Sequence, residues 1–68
     1  MKLTLKEAFE YMRDNNYMYK GRNITHRTIR TMAENGSFES LQFIGRIRTV
    51  ELWDVDKKIY DMEDGDES

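Results

Sequence analysis

The 68-residue chain is long enough for one small domain and too short for two. It has no cysteine and one histidine, which excludes disulfides and thiolate metal sites and leaves too few ligands for a histidine metal centre. The net charge of −2 conceals an asymmetry: residues 1–50 balance at +4, with nine Lys/Arg against five Asp/Glu. Residues 51–68 balance at −6, with two lysines against eight acids. We therefore expect a basic body and an acidic C-terminal segment.

Hydropathy gives the expected compartment. No apolar run approaches the roughly 20 residues that a membrane-spanning helix needs, and the N-terminus lacks the apolar core of a signal peptide. The absence of cysteine is compatible with a reducing environment. The expectation is a soluble, cytoplasmic protein without a membrane partner.

The first predicted element is a helix at about residues 5–15. Thr4 and Glu7 have the spacing of a capping box, in which the two residues satisfy each other's backbone N–H groups. Apolar residues at helical spacing predict its buried face: Leu5, Ala8, Phe9 and Met12. Residues 16–23 have no clean period and predict a loop, with an exposed turn at Gly21.

The second predicted helix spans Thr25–Asn35. Thr25 is a candidate N-cap, and Ile24 and Ile29 have the spacing of a hydrophobic staple around it. Gly36 after Asn35 can take the left-handed conformation that ends a helix. The predicted inward stripe is Ile29, Met32 and Ala33, and the remaining face carries His26, Arg27, Arg30 and Thr31, with Thr28 nearer the boundary.

After Gly36 the pattern changes to two strands, 41–44 and 47–53, around a Gly45-Arg46 turn of the type II′ class. Gln42 and Arg48 alternate with apolar neighbours and predict one polar, outward face of this hairpin. Asp54 is a candidate cap for a short last helix, with an expected inward stripe of Val55, Ile59 and Met62. The aromatic residues are expected in the core or at its edge: Tyr11, Tyr17, Tyr19, Phe38 and Trp53.

This order of elements predicts an α+β fold, a small winged helix-turn-helix with two N-terminal helices, a hairpin wing and a short C-terminal helix. The domain is expected to cover residues 1–62, followed by an acidic disordered tail, 63–68. In such folds the second helix lies in the major groove and the wing contacts phosphate or the minor groove. The predicted DNA-contacting residues are His26, Arg27, Thr28, Arg30 and Thr31 on the helix and Gln42, Arg46 and Arg48 on the wing. Two alternatives remain for Lys20 and Arg22: they contact DNA phosphates, or they only keep the loop soluble.

Several phrases of the chain resemble the excisionase and MerR-like winged-helix family, over roughly residues 3–60. The phrases are Leu3-Thr4-Leu5-Lys6-Glu7-Ala8, Ile24-Thr25-His26-Arg27-Thr28-Ile29-Arg30, Glu34-Asn35-Gly36, Phe43-Ile44-Gly45-Arg46-Ile47-Arg48 and Trp53-Asp54-Val55-Asp56. The resemblance implies sequence-specific DNA binding in a bacterial or phage-infected cell, either as a factor that steers an integrase or as a small phage transcriptional regulator. By the same resemblance, Arg27, Thr28 and Arg30 match recognition-helix positions, and Arg46 and Arg48 match the wing.

Other interpretations stay open at this stage. The helix arginines could be the solvated face of an amphipathic helix, and the acidic C-terminus predicts, as an alternative function, a module that binds a basic protein surface. No catalytic constellation, phosphate-binding glycine loop or metal-spaced cluster is present in the sequence, so we expect neither an enzyme nor a cofactor. One small domain offers few DNA contacts, so a homodimer or cooperative binding on adjacent sites is expected.

Overall fold

The computed structural model describes the backbone of residues 1–65 and the side chains of residues 1–61. Helices and short strands alternate along it in the order β1 (Lys2–Thr4), α1 (Leu5–Asp14), β2 (Met18–Tyr19), β3 (Arg22–Asn23), α2 (His26–Glu34), β4 (Gln42–Ile44), β5 (Ile47–Glu51) and α3 (Leu52–Gly65). The chain is therefore an α+β domain, as the sequence predicts at that level.

Two antiparallel sheets are present in this part of the chain. The larger has the order β1-β5-β4, with Leu3 opposite Val50 and Phe43 opposite Arg48, and the smaller is the β2–β3 hairpin. Strand β1 was not predicted, and it lies beside the strand that follows it by more than forty residues. The helices α1 and α3 pack against β5, and α2 packs against α1.

Helix α1 begins where the capping box predicts. The Thr4 hydroxyl accepts from the Glu7 backbone N–H at 3.2 Å, and the Thr4 N–H donates to Glu7 Oε1 at 2.9 Å. Since Thr4 is also the last residue of β1, the cap turns the chain directly from strand into helix. The predicted inward residues Ala8, Phe9 and Met12 are buried.

Helix α2 is confirmed with both of its predicted ends. The Thr25 hydroxyl accepts from the Thr28 N–H at 3.1 Å, and Gly36 follows the C-cap with a φ of +83°. The Ser37 N–H closes the end by donating to the Met32 carbonyl at 2.9 Å, the six-to-one bond of a Schellman motif. Ile24 and Ile29 are both buried, as the staple requires.

The predicted loop at 16–23 is instead a tight hairpin. Lys20 and Gly21 both have positive φ, +52° and +80°, the pattern of a type I′ turn between β2 and β3. A lysine in the first turn position gives no sequence signal for this turn, because asparagine or aspartate usually occupies it.

Helix α3 begins at Leu52, three residues earlier than an Asp54 cap would place it. Asp54 lies inside the helix and is 1% exposed. Its Oδ2 accepts from the Ser40 backbone N–H at 2.9 Å and from the Ser40 hydroxyl at 2.8 Å, while Lys58 Nζ lies 3.9 Å from Oδ1. The Ser40 hydroxyl in turn accepts from the Glu51 N–H at 2.9 Å. The expected cap is therefore a buried link between the turn before β4 and the start of α3.

The core lies where helices α1, α2 and α3 meet the larger sheet. Its buried apolar members are Leu3, Ala8, Phe9, Met12, Ile24, Ile29, Met32, Ala33, Phe38, Val50 and Val55. Phe38 confirms the aromatic expectation, and the three predicted tyrosines, Tyr11, Tyr17 and Tyr19, pack at the core edge, but Trp53 is 53% exposed and that expectation is wrong.

The C-terminal predictions are described only in part. The predicted tail, 63–68, shares its first residues with α3, which ends at Gly65, and residues 66–68 lie outside the described range, as does the Met62 side chain. Within the described residues, none of the helices has the length and apolarity to cross a bilayer.

Candidate nucleic-acid interface

The exposed side of α2 carries two arginines in line. Positions 27, 30, 31 and 34 recur at the three- and four-residue spacing that places side chains on one helix face. The opposite face is the buried stripe of Ile29, Met32 and Ala33. Among the described residues, no carboxylate lies within 4.0 Å of Arg27 or Arg30. Arg27, Arg30 and Thr31 are therefore exposed to solvent, and the two arginines have no ion-pair partner in the described part of the chain.

The C-terminal end of this face adjoins the β4–β5 hairpin. Arg48 Nη1 lies 3.8 Å from Glu34 Oε2, and its guanidinium carbon lies 5.8 Å from the ring centroid of Phe43, its partner across the sheet. Both side chains of the ion pair are substantially exposed, so the attraction is weak and competes poorly with other partners of either group. The contact nevertheless places Arg48 next to the arginine-bearing face of α2.

The β2–β3 hairpin reaches the same end of α2. The Asn35 side-chain amide donates to the Tyr19 hydroxyl at 3.5 Å. Successive side chains project from an α-helix about 100° apart, so Glu34 and Asn35 point in different directions. The β4–β5 hairpin, which contacts Glu34, and the β2–β3 hairpin, which contacts Asn35, therefore lie on different sides of the end of α2. Lys20 lies with its ammonium 5.4 Å from the Tyr19 ring, and Arg22 faces Tyr19 across the hairpin. Tyr19 is thus the residue through which the hairpin that carries Lys20 and Arg22 contacts the end of α2.

Two of the predicted helix residues are occupied within the fold. The His26 ring packs on the Phe9 ring of α1, with centroids 4.0 Å apart, and the Arg13 guanidinium lies 5.4 Å from the same ring. The Thr28 hydroxyl is 2.9 Å from the Thr25 hydroxyl at the helix start. His26 and Thr28 therefore anchor the start of α2, a function that their positions in the sequence do not reveal.

The β4–β5 hairpin does not have the single polar face that was predicted. Gln42 lies opposite Thr49 and Arg48 lies opposite Phe43. Because cross-strand partners share a face and successive residues alternate, Gln42 and Arg48 lie on opposite faces. Only Arg48 shares the side that carries the Glu34 contact, whereas Gln42 is exposed on the other side.

The tip of the β4–β5 hairpin exposes two apolar side chains, Ile44 and Ile47, and one cationic side chain, Arg46. Gly45 has a φ of +64° and Arg46 does not share a positive φ, which agrees with the predicted type II′ turn. Arg46 is exposed, and no described carboxylate lies within 4.0 Å of it. Ile44 and Ile47 flank the turn as cross-strand partners and are 53% and 56% exposed. Sequence reasoning missed this tip, although isoleucines directly beside a two-residue turn are its signal, since they lie at the end of the hairpin farthest from the rest of the sheet.

Helix α3 presents a different surface. Trp53 and Tyr60, seven residues apart on one face, are both more than half exposed, and Asp56 and Asp61 are exposed on the same helix. The Tyr11 hydroxyl donates to Asp56 Oδ1 at 2.5 Å, which joins α1 to α3. That hydrogen bond raises the pKa of the Tyr11 phenol above its ordinary value, and burial and the charge of Asp56 act in the same direction.

Tyr17 has a raised pKa as well, and its cause is different. Burial is the largest contribution, followed by the charges of Tyr19 and Asp61. In the described range no three His, Asp or Glu side chains are grouped closely enough to hold a metal ion.

Comparison of the chain with protein-family models, with curated proteins and with solved structures gives no match.

Proposed function

We propose that this protein binds duplex DNA in a sequence-specific manner, with α2 in the major groove. In this proposal α1 and α2 form the helix-turn-helix and the β4–β5 hairpin is the wing. The observation that carries the proposal is the exposed face of α2, where Arg27 and Arg30 have no carboxylate partner in the described part of the chain. Arginines that the fold does not use are available to an anionic partner.

The two arginines have the chemistry of base recognition. A guanidinium can donate two parallel hydrogen bonds to O6 and N7 of guanine in the major groove. Thr31 lies on the same face and can bond to a base or a phosphate. We assign base contacts to Arg27, Arg30 and Thr31, and we withdraw His26 and Thr28 from that set because they are occupied at the helix start.

The hairpin cations have the chemistry of phosphate contacts. We assign contacts with backbone phosphates to Arg46, which is exposed at the tip, and to Arg48, which lies beside Glu34. Lys20 and Arg22 on the β2–β3 hairpin approach the helix from another direction and extend the cationic surface. Such contacts supply most of the affinity and fix the register of the protein on the duplex.

The family resemblance of the sequence favours a particular role. It supports an excisionase-like factor that directs an integrase, or a small transcriptional regulator, in the cytoplasm of a bacterial or phage-infected cell. A single module of this size buries about 600–1,000 Å² of protein surface on DNA, so we propose that tight binding needs a homodimer or cooperative occupation of adjacent sites.

The test is selection of binding sequences from a random duplex pool, followed by gel retardation with two double variants. Arg27→Ala/Arg30→Ala should weaken binding to the enriched sequence by about a hundredfold or more, since each bidentate pair contributes about 1–3 kcal/mol. Lys6→Ala/Lys57→Ala removes the same charge from exposed positions on α1 and α3 and serves as the matched control. Equal losses for the two variants, or no enrichment of any sequence, would contradict specific recognition by α2.

A second candidate function rests on α3. Exposed tryptophan and tyrosine are the residue types that anchor protein interfaces, and Asp56, Asp61 and the acids after residue 62 suit a basic partner. Deleting residues 63–68 separates the two functions. If DNA binding is the function, removal of Glu63, Asp64, Asp66 and Glu67 leaves affinity for DNA unchanged or higher. If α3 docks a basic protein, the deletion weakens that complex.

A further inference from the structure

A cleft lies between the C-terminal end of α1 and strand β3. Its volume is about 350 Å³, and its lining residues are Arg13, Asn16, Tyr17, Asn23 and Ile24. Ile24 is 6% exposed and Tyr17 packs against the core, so part of the lining is apolar and held by the fold. None of the five residues belongs to the surface that we assign to DNA. The cleft therefore needs a partner of its own.

The two asparagines of the cleft differ from the other two in the chain. Asn15 donates from its side-chain amide to a backbone carbonyl of α1 at 2.8 Å, and Asn35 Oδ1 accepts from a backbone N–H at 3.1 Å. The carboxamides of Asn16 and Asn23 make no hydrogen bond with any other described residue. Both are exposed, so each can offer a donor and an acceptor to a ligand.

The cation of the cleft is only weakly paired. Arg13 Nε lies 3.4 Å from Asp14 Oδ1, and both side chains are more than half exposed, so solvent screens the attraction. The guanidinium carries five N–H donors, and its contact with Asp14 uses those of Nε and Nη2. The carboxylate beside it disfavours a simple anion as the ligand. A neutral group that accepts hydrogen bonds from the remaining donors fits better.

The lining suits a planar heterocycle with a hydrogen-bonding edge. Tyrosine rings stack on the faces of nucleobases, and an aliphatic side chain also suits such a face. Arginine can donate to O6 and N7 of guanine, and asparagine can pair with N6 and N7 of adenine. Both patterns use N7, which belongs to purines. The cleft has the volume of about a dozen water molecules at roughly 30 Å³ each, which is enough for a nucleoside.

We propose that this cleft binds the base of a free purine nucleotide, with the carboxamides of Asn16 and Asn23 on the edge of the base and the Tyr17 ring against its face. The Arg13 guanidinium supplies further donors to the same edge. Because Ile24 directly precedes the N-cap of α2, the site adjoins the start of that helix. Nucleotide binding here needs no DNA, so this proposal does not depend on the proposed DNA-binding function.

The experiment is an NMR titration of the ¹⁵N-labelled chain, without DNA, with adenosine, guanosine and cytidine monophosphate. We expect at least one purine nucleotide to shift the side-chain amides of Asn16 and Asn23 and the backbone amides of residues 13–17 and 22–24. The dissociation constant should be about 1 mM or less. Cytidine monophosphate has no N7 edge and should bind at least about fivefold more weakly. Ribose phosphate, which has no base, should leave these resonances unmoved.

The decisive variant is Asn16→Gly/Asn23→Thr. Asn16 follows the C-cap of α1 with a φ of +58°, a conformation that glycine adopts without strain, and threonine suits the strand position of Asn23. The fold should therefore persist while both carboxamides are lost, and we expect purine nucleotide binding to weaken by about tenfold or more. Gln42→Thr removes an exposed carboxamide from β4 and is the matched control, which should bind as the wild type does.

Several results would overturn the nucleotide site. These are the absence of purine binding at about 1 mM, equal shifts with ribose phosphate, and undiminished binding by the asparagine variant. Nucleotide-induced shifts confined to Arg27 and Arg30 would show that only the phosphate binds, at the surface proposed for DNA. A short single-stranded oligonucleotide that shifts the cleft resonances when mononucleotides do not would assign the cleft to a base within a strand. Each of these results leaves the separate test of duplex recognition by α2 unaffected.

Discussion

The exposed faces of α2 and α3 carry charges that the fold treats differently. On α3, Asp54 is buried against Ser40, Asp56 accepts a hydrogen bond from Tyr11, and Lys58 lies beside Asp54 and over the Phe38 ring. On α2 the arginines have no such partners among the described residues. Asp54, Asp56 and Lys58 of α3 therefore help to hold the domain together, whereas the α2 arginines remain available to the proposed DNA partner.

The contrast continues at the ends of the two helices. The start of α2 is held by the Thr25 cap, the contact between the Thr25 and Thr28 hydroxyls and the packing of His26 on Phe9 of α1. A rigid frame lowers the ordering cost of binding a groove of defined width. Helix α3 instead exposes Trp53 and Tyr60, and its Lys58 lies beside Asp54.

The largest expected effect is at the buried acid of α3. Replacing Asp54 with Ala removes the acceptor for the Ser40 N–H and hydroxyl and leaves those groups unsatisfied. We expect a loss of about 3 kcal/mol in the free energy of unfolding, measured by urea denaturation. Asp61→Ala, at an exposed position on the same helix, should change it by less than about 0.5 kcal/mol. Similar losses for the two variants would mean that the Ser40 link does not stabilise the domain.

A smaller effect is expected from substitutions in α2, where His26 is predicted to act on stability and Arg30 on DNA binding. His26→Ala removes the ring that packs on Phe9 and should lower the free energy of unfolding by about 1 kcal/mol. Its affinity for DNA should stay within about threefold of the wild type. Arg30→Ala should show the reverse pattern, with unchanged stability and weaker DNA binding. If His26→Ala weakens DNA binding as much as Arg30→Ala does, His26 belongs to the contact surface after all.

The smallest expected effect concerns Glu34, which α2 places on the same face as Arg27 and Arg30. Glu34 lies 3.8 Å from Arg48 and also repels phosphate. Glu34→Gln should strengthen DNA binding by about threefold at low salt, with the gain disappearing as salt screens it. Glu10→Gln on α1 is the matched control and should leave affinity unchanged. A weaker complex with Glu34→Gln would show that the ion pair positions Arg48 for DNA.

Much of the secondary structure could be predicted because its determinants are local. The Thr4 and Thr25 caps, the stop at Gly36 and the turn at Gly45 each depend on residues within one helical turn or one hairpin. The elements that were missed depend on distant partners. Strand β1 exists because Leu3 pairs with Val50, and nothing in a three-residue segment indicates that pairing.

In the candidate site, too, the features set by local sequence could be predicted and those set by contacts between separate elements could not. Sequence spacing correctly placed Arg27, Arg30 and Thr31 on the exposed side of α2, since helical period and burial are tied together. It could not show that His26 packs on Phe9 or that Asp54 is buried against Ser40, because those contacts join separate elements. It also misjudged Gln42, whose face is set by the register of β4 against β5.

The most direct test of the central claim, that α2 and not α3 carries the recognition surface, is an NMR titration of ¹⁵N-labelled protein with the duplex enriched by selection. We predict that amide resonances shift mainly in α2 and at the tip of the β4–β5 hairpin, residues 44–48, while the Trp53 indole and the amides around Tyr60 keep their positions. Shifts that cluster on α3 and leave the amides of Arg27 and Arg30 unmoved would show that α3, and not α2, binds the duplex.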